Sequence, residues 1–293
     1  NMSSSKFVHT VAAAGALAQS AVGPVPSGGK PAPQETAVDL IVGTGPIAAA
    51  ELSPDETLVA TAGESVARVF ETATGKPVAA FAGHKQYIAR LRFAPDGNSV
   101  VSAGWDGVAV QWNPRSGQEI RRFNAGEPIE SLDIASDGSQ LLTGGKTARL
   151  WDLRSGAMLK TFEVGDPTSP VGGADGIAFM PDGKSFAVGS SNYRGAVQIW
   201  SLDGKLLRSA ADGGYILRAI CVSADGKLIL AGGSGFASDG KDAFDFQSAP
   251  TAILIDAQTG ALLGKLAGYK GEVNAVALSP DGKLALPGSG NLE

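Results

Sequence analysis

Histidine and cysteine are the side chains that most readily act as proton carriers, nucleophiles or zinc ligands near neutral pH. This chain has His9, His84 and a single Cys221. A zinc site needs several such ligands brought together, and a Ser-His-Asp triad needs a histidine beside its serine. Two distant histidines and one cysteine do not make a zinc site and leave little material for a triad, so no metal and no catalytic set are expected. Cys221, in the apolar run "LRAICVSADG", reads as a small buried side chain, and it has no partner for an internal disulfide. Asp239, Asp242 and Asp245 are spaced Asp-x-x-Asp-x-x-Asp, which is not the Asp-x-Asp-x-Asp-Gly pattern that wraps calcium. "GGKPAP" and "GGKTAR" contain Gly-Gly-Lys but lack the full phosphate-loop spacing. No cofactor is expected. What remains is recognition chemistry. Phe236, Phe244 and Phe246 lie among those three aspartates in "GSGFASDGKDAFDFQSAP", residues 233–250, and Tyr193-Arg194 lies in "GSSNYRGAV". Aromatics beside charged groups suit a protein-binding patch.

The scaffold that must hold these residues is bounded by composition. The chain has 293 residues, 43% hydrophobic and only 18% charged, enough to bury a sizeable core. Its 40 glycines and 16 prolines are spread along the chain and fit an all-β protein with many tight turns. The net charge of −5 argues against wrapping nucleic acid, which needs a positive field. Arg90, Arg92, Arg121 and Arg122 are the only candidates for a local basic patch, and a solvated strand face is the favoured reading of them.

The first 37 residues differ. "NMSSSKFVHTVAAAGALAQSAVG" has one lysine, a short apolar run and then "ALA" at 16–18, which fits the A-x-A pattern of a signal-peptidase site. "GPVPSGGKPAPQE" follows as a Pro/Gly linker. A targeting leader is therefore expected, placing the mature chain outside the cytoplasm or in an organelle lumen; the alternative is a disordered tail on a cytoplasmic protein. The apolar run is too short to span a bilayer.

From residue 38 one pattern recurs. An apolar strand ends in a turn at "AAAELSPDE", "ARLRFAPDG", "ESLDIASDG", "DGIAFMPDG", "RAICVSADG" and "NAVALSPDG". The turn aspartates, Asp55, Asp96, Asp137, Asp182, Asp225 and Asp281, are separated by 41, 41, 45, 43 and 56 residues. An Asp-Gly turn of this kind fits a two-residue hairpin, which requires positive φ. Each repeat continues with a second strand ("SVVSAG"), a third ending in a bulky residue ("VAVQW"), a Gly-centred turn ("RSGQE") and a fourth strand ("IRRF"). Four strands per period of about 40–45 residues is the signature of a β-propeller. The repeats lie near 46–82, 87–124, 128–165, 174–212, 215–268 and 272–293.

Gly83-His84 in "AGHK" and Trp151-Asp152 in "RLWDL" make residues 38–293 resemble the WD-repeat β-propeller family. That resemblance aligns Trp112 with Trp151 and leaves Trp105-Asp106 in the turn between second and third strands. It also implies a buried hydrogen-bonded tetrad in the second repeat, formed by His84, Ser102, Asp106 and Trp112. Other repeats depart: Lys146 stands where a turn aspartate belongs, and Tyr269 stands where a histidine does.

Leu40 and Phe81 each lie fifteen residues before a turn aspartate, so residues 38–42 read as an isolated fourth strand that would complete the last blade and remove an open edge. The C-terminus holds two strands of a sixth repeat, which fits a seven-bladed ring cut short or a six-bladed ring lacking one strand. The family resemblance implies a non-catalytic scaffold, a subunit of a larger assembly, with protein or peptide partners at the top face or channel mouth. The alternatives are a lactonase- or dehydrogenase-type propeller enzyme and the sensor domain of a larger protein. The 233–250 insert, which accounts for the 56-residue spacing, with Tyr193-Arg194 nearby, is the expected binding surface.

Overall fold

The computed structural model describes residues 47–164, 173–190, 196–211, 215–235, 249–266, 268–269, 271–279 and 281–289. The expected leader, the closing strand at 38–42, Tyr193-Arg194, and Phe236, Asp239, Asp242, Phe244, Asp245 and Phe246 lie outside the described residues.

Among the described residues every regular element is a β-strand, and the strands form antiparallel sheets in simple meander order. The first sheet holds β1 (Ala49–Leu52), β2 (Leu58–Gly63), β3 (Val66–Glu71) and β4 (Pro77–Phe81). The second holds β5 (Ile88–Phe93), β6 (Val100–Gly104), β7 (Val108–Trp112) and β8 (Glu119–Asn124). The third holds β9 (Ile129–Ile134), β10 (Gln140–Gly145), β11 (Ala148–Asp152) and β12 (Met158–Phe162). The fourth holds β13 (Ala174–Phe179), β14 (Ser185–Ser190), β15 (Ala196–Ser201) and β16 (Leu206–Ala211). The fifth holds β17 (Tyr215–Val222), β18 (Leu228–Gly235), β19 (Ala249–Asp256) and β20 (Leu262–Leu266). The sixth has two described strands, β21 (Val273–Leu278) and β22 (Ala285–Ser289).

The core explains why the sheets stack as blades. Each apolar cluster spans two consecutive sheets. One joins Val69, Phe81, Leu91, Val100 and Trp112 across the first and second sheets. The next joins Val101, Phe123, Leu132, Leu141 and Trp151 across the second and third. The series continues to Leu230, Ala252, Val273 and Val276 between the fifth and sixth. No blade buries its apolar faces alone, so each is stable only between neighbours. The first strands β1, β5, β9, β13, β17 and β21 face a common central channel, a cavity of about 60 Å3 lined from Ala49 to Val276.

The hairpins between first and second strands are not the two-residue turns expected. Each is a four-residue loop: Ala94 N–H donates to the Ser99 carbonyl at 2.8 Å, and Gly97 N–H donates to the Ala94 carbonyl at 2.8 Å. Only one loop residue takes positive φ, a glycine at 70° in Gly97, Gly138 and Gly226, and Glu56 at 60° in the first blade. The aspartate contributes its carboxylate instead, accepting an N–H two residues on, from Asn98 to Asp96 at 2.9 Å and from Lys227 to Asp225 at 3.0 Å. Such loops are built on a type I turn followed by a left-handed residue. Hydrogen bonds from the Ser223 hydroxyl and the Lys227 N–H hold the Asp225 carboxyl down to about 2.

The four arginines do not share a solvated strand face. Arg90 and Arg92 lie on β5 and line the channel, because an innermost strand turns one face inward to the axis. Arg121 and Arg122 lie on the outermost strand β8. Arg121 reaches into the next blade, donating to the Arg154 carbonyl at 2.6 Å, and Arg122 pairs with Glu119 at 2.6 Å. Arg208 makes the same reach as Arg121, to the Ala257 carbonyl at 3.0 Å, and Lys160 to the Asp203 carbonyl. These side chains clasp consecutive blades at the rim.

The insert is shorter than 233–250. β18 and β19 extend through the pairs Gly233↔Thr251, Ser234↔Pro250 and Gly235↔Ala249, so both ends of that segment are strand.

Candidate functional site

The second blade brings His84, Ser102, Asp106 and Trp112 together. The indole Nε1 of Trp112 donates to Ser102 Oγ at 3.1 Å. Ser102 Oγ lies 2.8 Å from His84 Nε2, and His84 Nδ1 lies 3.0 Å from Asp106 Oδ2. With the Ser102 oxygen accepting from the indole, its hydroxyl proton is directed to Nε2, which leaves Nδ1–H to donate to the carboxylate. Asp106 also accepts the Lys85 N–H at 2.9 Å and the Val108 N–H at 3.2 Å, pinning the loop ahead of β5 and the β6–β7 turn. Burial drives the His84 pKa below its ordinary value, against the pull of Asp106. A neutral, solvent-excluded imidazole bonded at both nitrogens is a strut. The Phe81 ring stacks on Trp112 with centroids 5.5 Å apart and meets His84 edge-on. A methyl on Gly83 would overlap the Phe81 ring, which fixes glycine before the histidine.

Other blades keep fragments of this network. Trp151 Nε1 donates to Thr143 Oγ1 at 2.9 Å. In the same blade Glu127 accepts from Thr147 Oγ1 at 2.9 Å and Arg149 at 2.6 Å, bracing the start of β11. Trp200 turns instead to Gln198, at 3.0 Å. Cys221 is half-buried beside the last apolar cluster, and burial pushes its thiol up to about 12.

Inside the channel Arg92 bridges three blades, lying 3.4 Å from Glu51 of β1 and 3.4 Å from Asp133 of β9. Each acid also reaches a neighbouring first strand: Glu51 accepts the Phe93 N–H at 3.0 Å and Asp133 the Phe179 N–H at 2.8 Å. Desolvation nevertheless raises the Glu51 pKa to about 7, with Arg92 opposing, and raises that of Asp133 as well.

The surface best formed for recognition is the channel mouth, at the end that carries the β6–β7 turn. Its cavity of about 190 Å3 is lined by Tyr87, Arg90, Trp105, Glu130, Asp175 and Arg218, among others. Trp105 is 47% exposed, unlike fully buried Trp112. It is oriented from two sides: its N–H donates to the Tyr87 carbonyl at 2.9 Å, and its indole Nε1 to Glu130 at 3.2 Å. The Tyr87 ring lies 5.1 Å away. Arg90 forms the floor, donating to the Ala89 carbonyl at 2.9 Å and across the channel to the Arg218 carbonyl at 3.3 Å. Arg218 pairs with Glu272 at 2.8 Å. The sequence singled out Arg90 and Trp105 without placing them together, and missed Tyr87, Glu130 and Arg218. Their one shared signal is position, at the top of first strands or in the connections beside them. Among the described residues no cluster of His, Cys, Asp and Glu could hold a metal ion.

Comparison with known proteins follows the same repeat. Residues 75–113, which run from the turn before β4 through β7 and contain all four tetrad residues, match the family model "WD domain, G-beta repeat". The chain is 25% identical over 227 residues to the guanine nucleotide-binding protein subunit beta of Oryza sativa subsp. japonica, covering 71% of this chain and 55% of that protein. It is 28% identical to the target of rapamycin complex subunit LST8 of Saccharomyces cerevisiae over 32% of this chain and 31% of the relative. A 46-residue stretch is 44% identical to ribosome assembly protein 4 of Chaetomium thermophilum, covering 16% of this chain and 9% of that one. The chain thus spans about half the length of the rice subunit and less of the others. The matched repeat, these relatives and the ladder of four-stranded blades agree: the chain carries a WD40 repeat at residues 75–113 and is similar to WD-repeat proteins.

Proposed function

We propose that this chain is a rigid recognition platform, a subunit of a larger assembly, and that a protein partner docks at the channel mouth. The observation that carries this reading is Trp105, a large aromatic held half-exposed by two hydrogen bonds and a tyrosine over a cavity. An aromatic already fixed in place loses little side-chain entropy on binding, and such residues dominate interface energetics. Two of the relatives are named as subunits, which supports membership of an assembly. The groups best suited to chemistry are withheld from it: His84 is enclosed and neutral, and the Cys221 thiol stays protonated. This favours binding without catalysis. The test is capture of partners from native extract by the full chain and by Trp105→Ala. Loss of capture, with thermal stability kept, is the expected result. Undiminished capture would move the docking site elsewhere, first to the 236–248 segment.

A further inference from the structure

The charges at the channel mouth are unevenly matched. Glu130 accepts the Trp105 indole N–H at 3.2 Å. Glu272 accepts from Arg218 Nε at 2.8 Å and from the Ser234 hydroxyl at 3.3 Å. Arg90 differs: it donates to two backbone carbonyls, and among the described residues no carboxylate forms an ion pair with it. Burial holds its pKa below the ordinary arginine value, with Glu130 and Asp175 only partly offsetting this. A partly buried cation that no carboxylate of the described residues touches is under-compensated, and a guanidinium with N–H donors to spare matches a carboxylate in geometry.

Resting on the docking reading above, we propose that the channel mouth captures the carboxyl-terminal residue of a partner polypeptide, its terminal carboxylate seated on Arg90. The walls select a chain end over an acidic side chain. Glu130 and Asp175 flank the floor and would repel an anion that brought no donor with it. A C-terminal residue carries its own amide N–H one carbon from the carboxylate, placed to donate to such an acceptor. Its side chain meets the Tyr87–Trp105 pair, so an apolar residue fits. The cavity, about 190 Å3, holds one residue entering end-on, whereas an internal side chain would have to carry its backbone across the mouth.

The test uses the full chain and four probes: N-acetyl-leucine, N-acetyl-leucinamide, N-acetyl-glutamate α-amide and N-acetyl-lysine α-amide. Binding is read from the Trp105 indole N–H resonance, assigned with Trp105→Phe. The expected result is a dissociation constant of about 1 mM or tighter for N-acetyl-leucine, with each other probe weaker by roughly tenfold or more. Arg90→Gln should remove this preference, and Arg122→Gln, on the outer strand, should keep it. The probe comparison on the wild-type chain stands whether or not Arg90→Gln folds. Equal binding of the leucinamide, tighter binding of the glutamate or lysine derivative, or no response to N-acetyl-leucine overturns the proposal. Selective carboxylate binding together with undiminished capture by Trp105→Ala would keep the pocket and discard docking there. Lost capture with no preference between leucine and leucinamide would do the reverse.

Discussion

Replacing Glu51 by glutamine should change how stability depends on pH. Glu51 sits on β1 inside the channel with 15% of its side chain exposed, and desolvation raises its pKa from 4.5 to about 7. The folded chain therefore holds a proton that the unfolded chain has released across that window. Stability falls wherever the native state binds more protons than the unfolded state as pH rises. The contribution of Glu51 is fully present below its unfolded value and is lost as pH climbs through the folded value. Each pKa unit is worth ~1.4 kcal/mol, so the loss across the window is on the order of 3 kcal/mol. The turn aspartates act oppositely and lower: Asp55 and Asp225, held down to about 2 by hydrogen bonds, lose their contribution as pH falls through that range. The two effects fall in separate windows. Urea unfolding of wild type and Glu51→Gln at several pH values between 4.5 and 8 reads the difference. Wild type should lose stability across the interval, and the glutamine variant, whose amide oxygen can still accept the Phe93 N–H, should lose much less. Parallel curves would refute the assignment of the raised pKa to Glu51 and with it the description of the Arg92 bridge as desolvated.

Three further outcomes follow from the packing. Trp112→Ala should cost roughly 3–5 kcal/mol, since it empties a fully buried site and strips Ser102 of its donor, whereas Trp105→Ala should fall within about 0.5 kcal/mol of wild type; a larger loss at Trp105 would show the two tryptophans to be misassigned. Gly83→Ala should lower the melting temperature by displacing the Phe81 ring from Trp112, and near-ultraviolet circular dichroism of the stacked pair would register it; an unchanged spectrum and melting point would contradict the packing. Replacing 236–248 with a four-residue Gly/Ser linker should leave thermal unfolding nearly unchanged, because the pair Gly235↔Ala249 already closes the hairpin and loop length costs little closure entropy; a cooperative loss of stability would mean the segment packs into the core.

The architecture was legible because propeller blades are written locally. The recurring Asp-Gly turn and the bulky third-strand end set the four-strand ladder, and the ladder of β5–β8 follows the run from "ARLRF" to "IRRF" strand by strand. Turn length was not legible: Asp96 and Gly97 fit a two-residue hairpin as well as a longer loop, and only the carboxylate's bond to the Asn98 N–H separates them. The channel was illegible for a deeper reason. Alternation along β5 shows that Arg90 and Arg92 share a face, but a strand's sequence does not reveal whether that face meets bulk water or the axis of a ring. Tyr87, Trp105, Glu130 and Arg218 come from connections and first strands of three repeats, and only the radial arrangement brings them to one mouth. Trp105 drew notice as half of a Trp-Asp pair, and its place beyond the end of β6 is what exposes it.

Site-directed photo-crosslinking tests partner docking at the channel mouth most directly. A benzophenone amino acid is placed in separate chains at Tyr87 on the mouth, at Asp96 on the opposite end, and at Ile120, 48% exposed on the outer strand β8. Each chain is irradiated in native extract and the products are resolved by mass. The docking reading predicts a discrete adduct from position 87, abolished by Trp105→Ala in the same chain, and none of that mass from 96 or 120. The same adduct from 96 or 120 with nothing from 87 would contradict it.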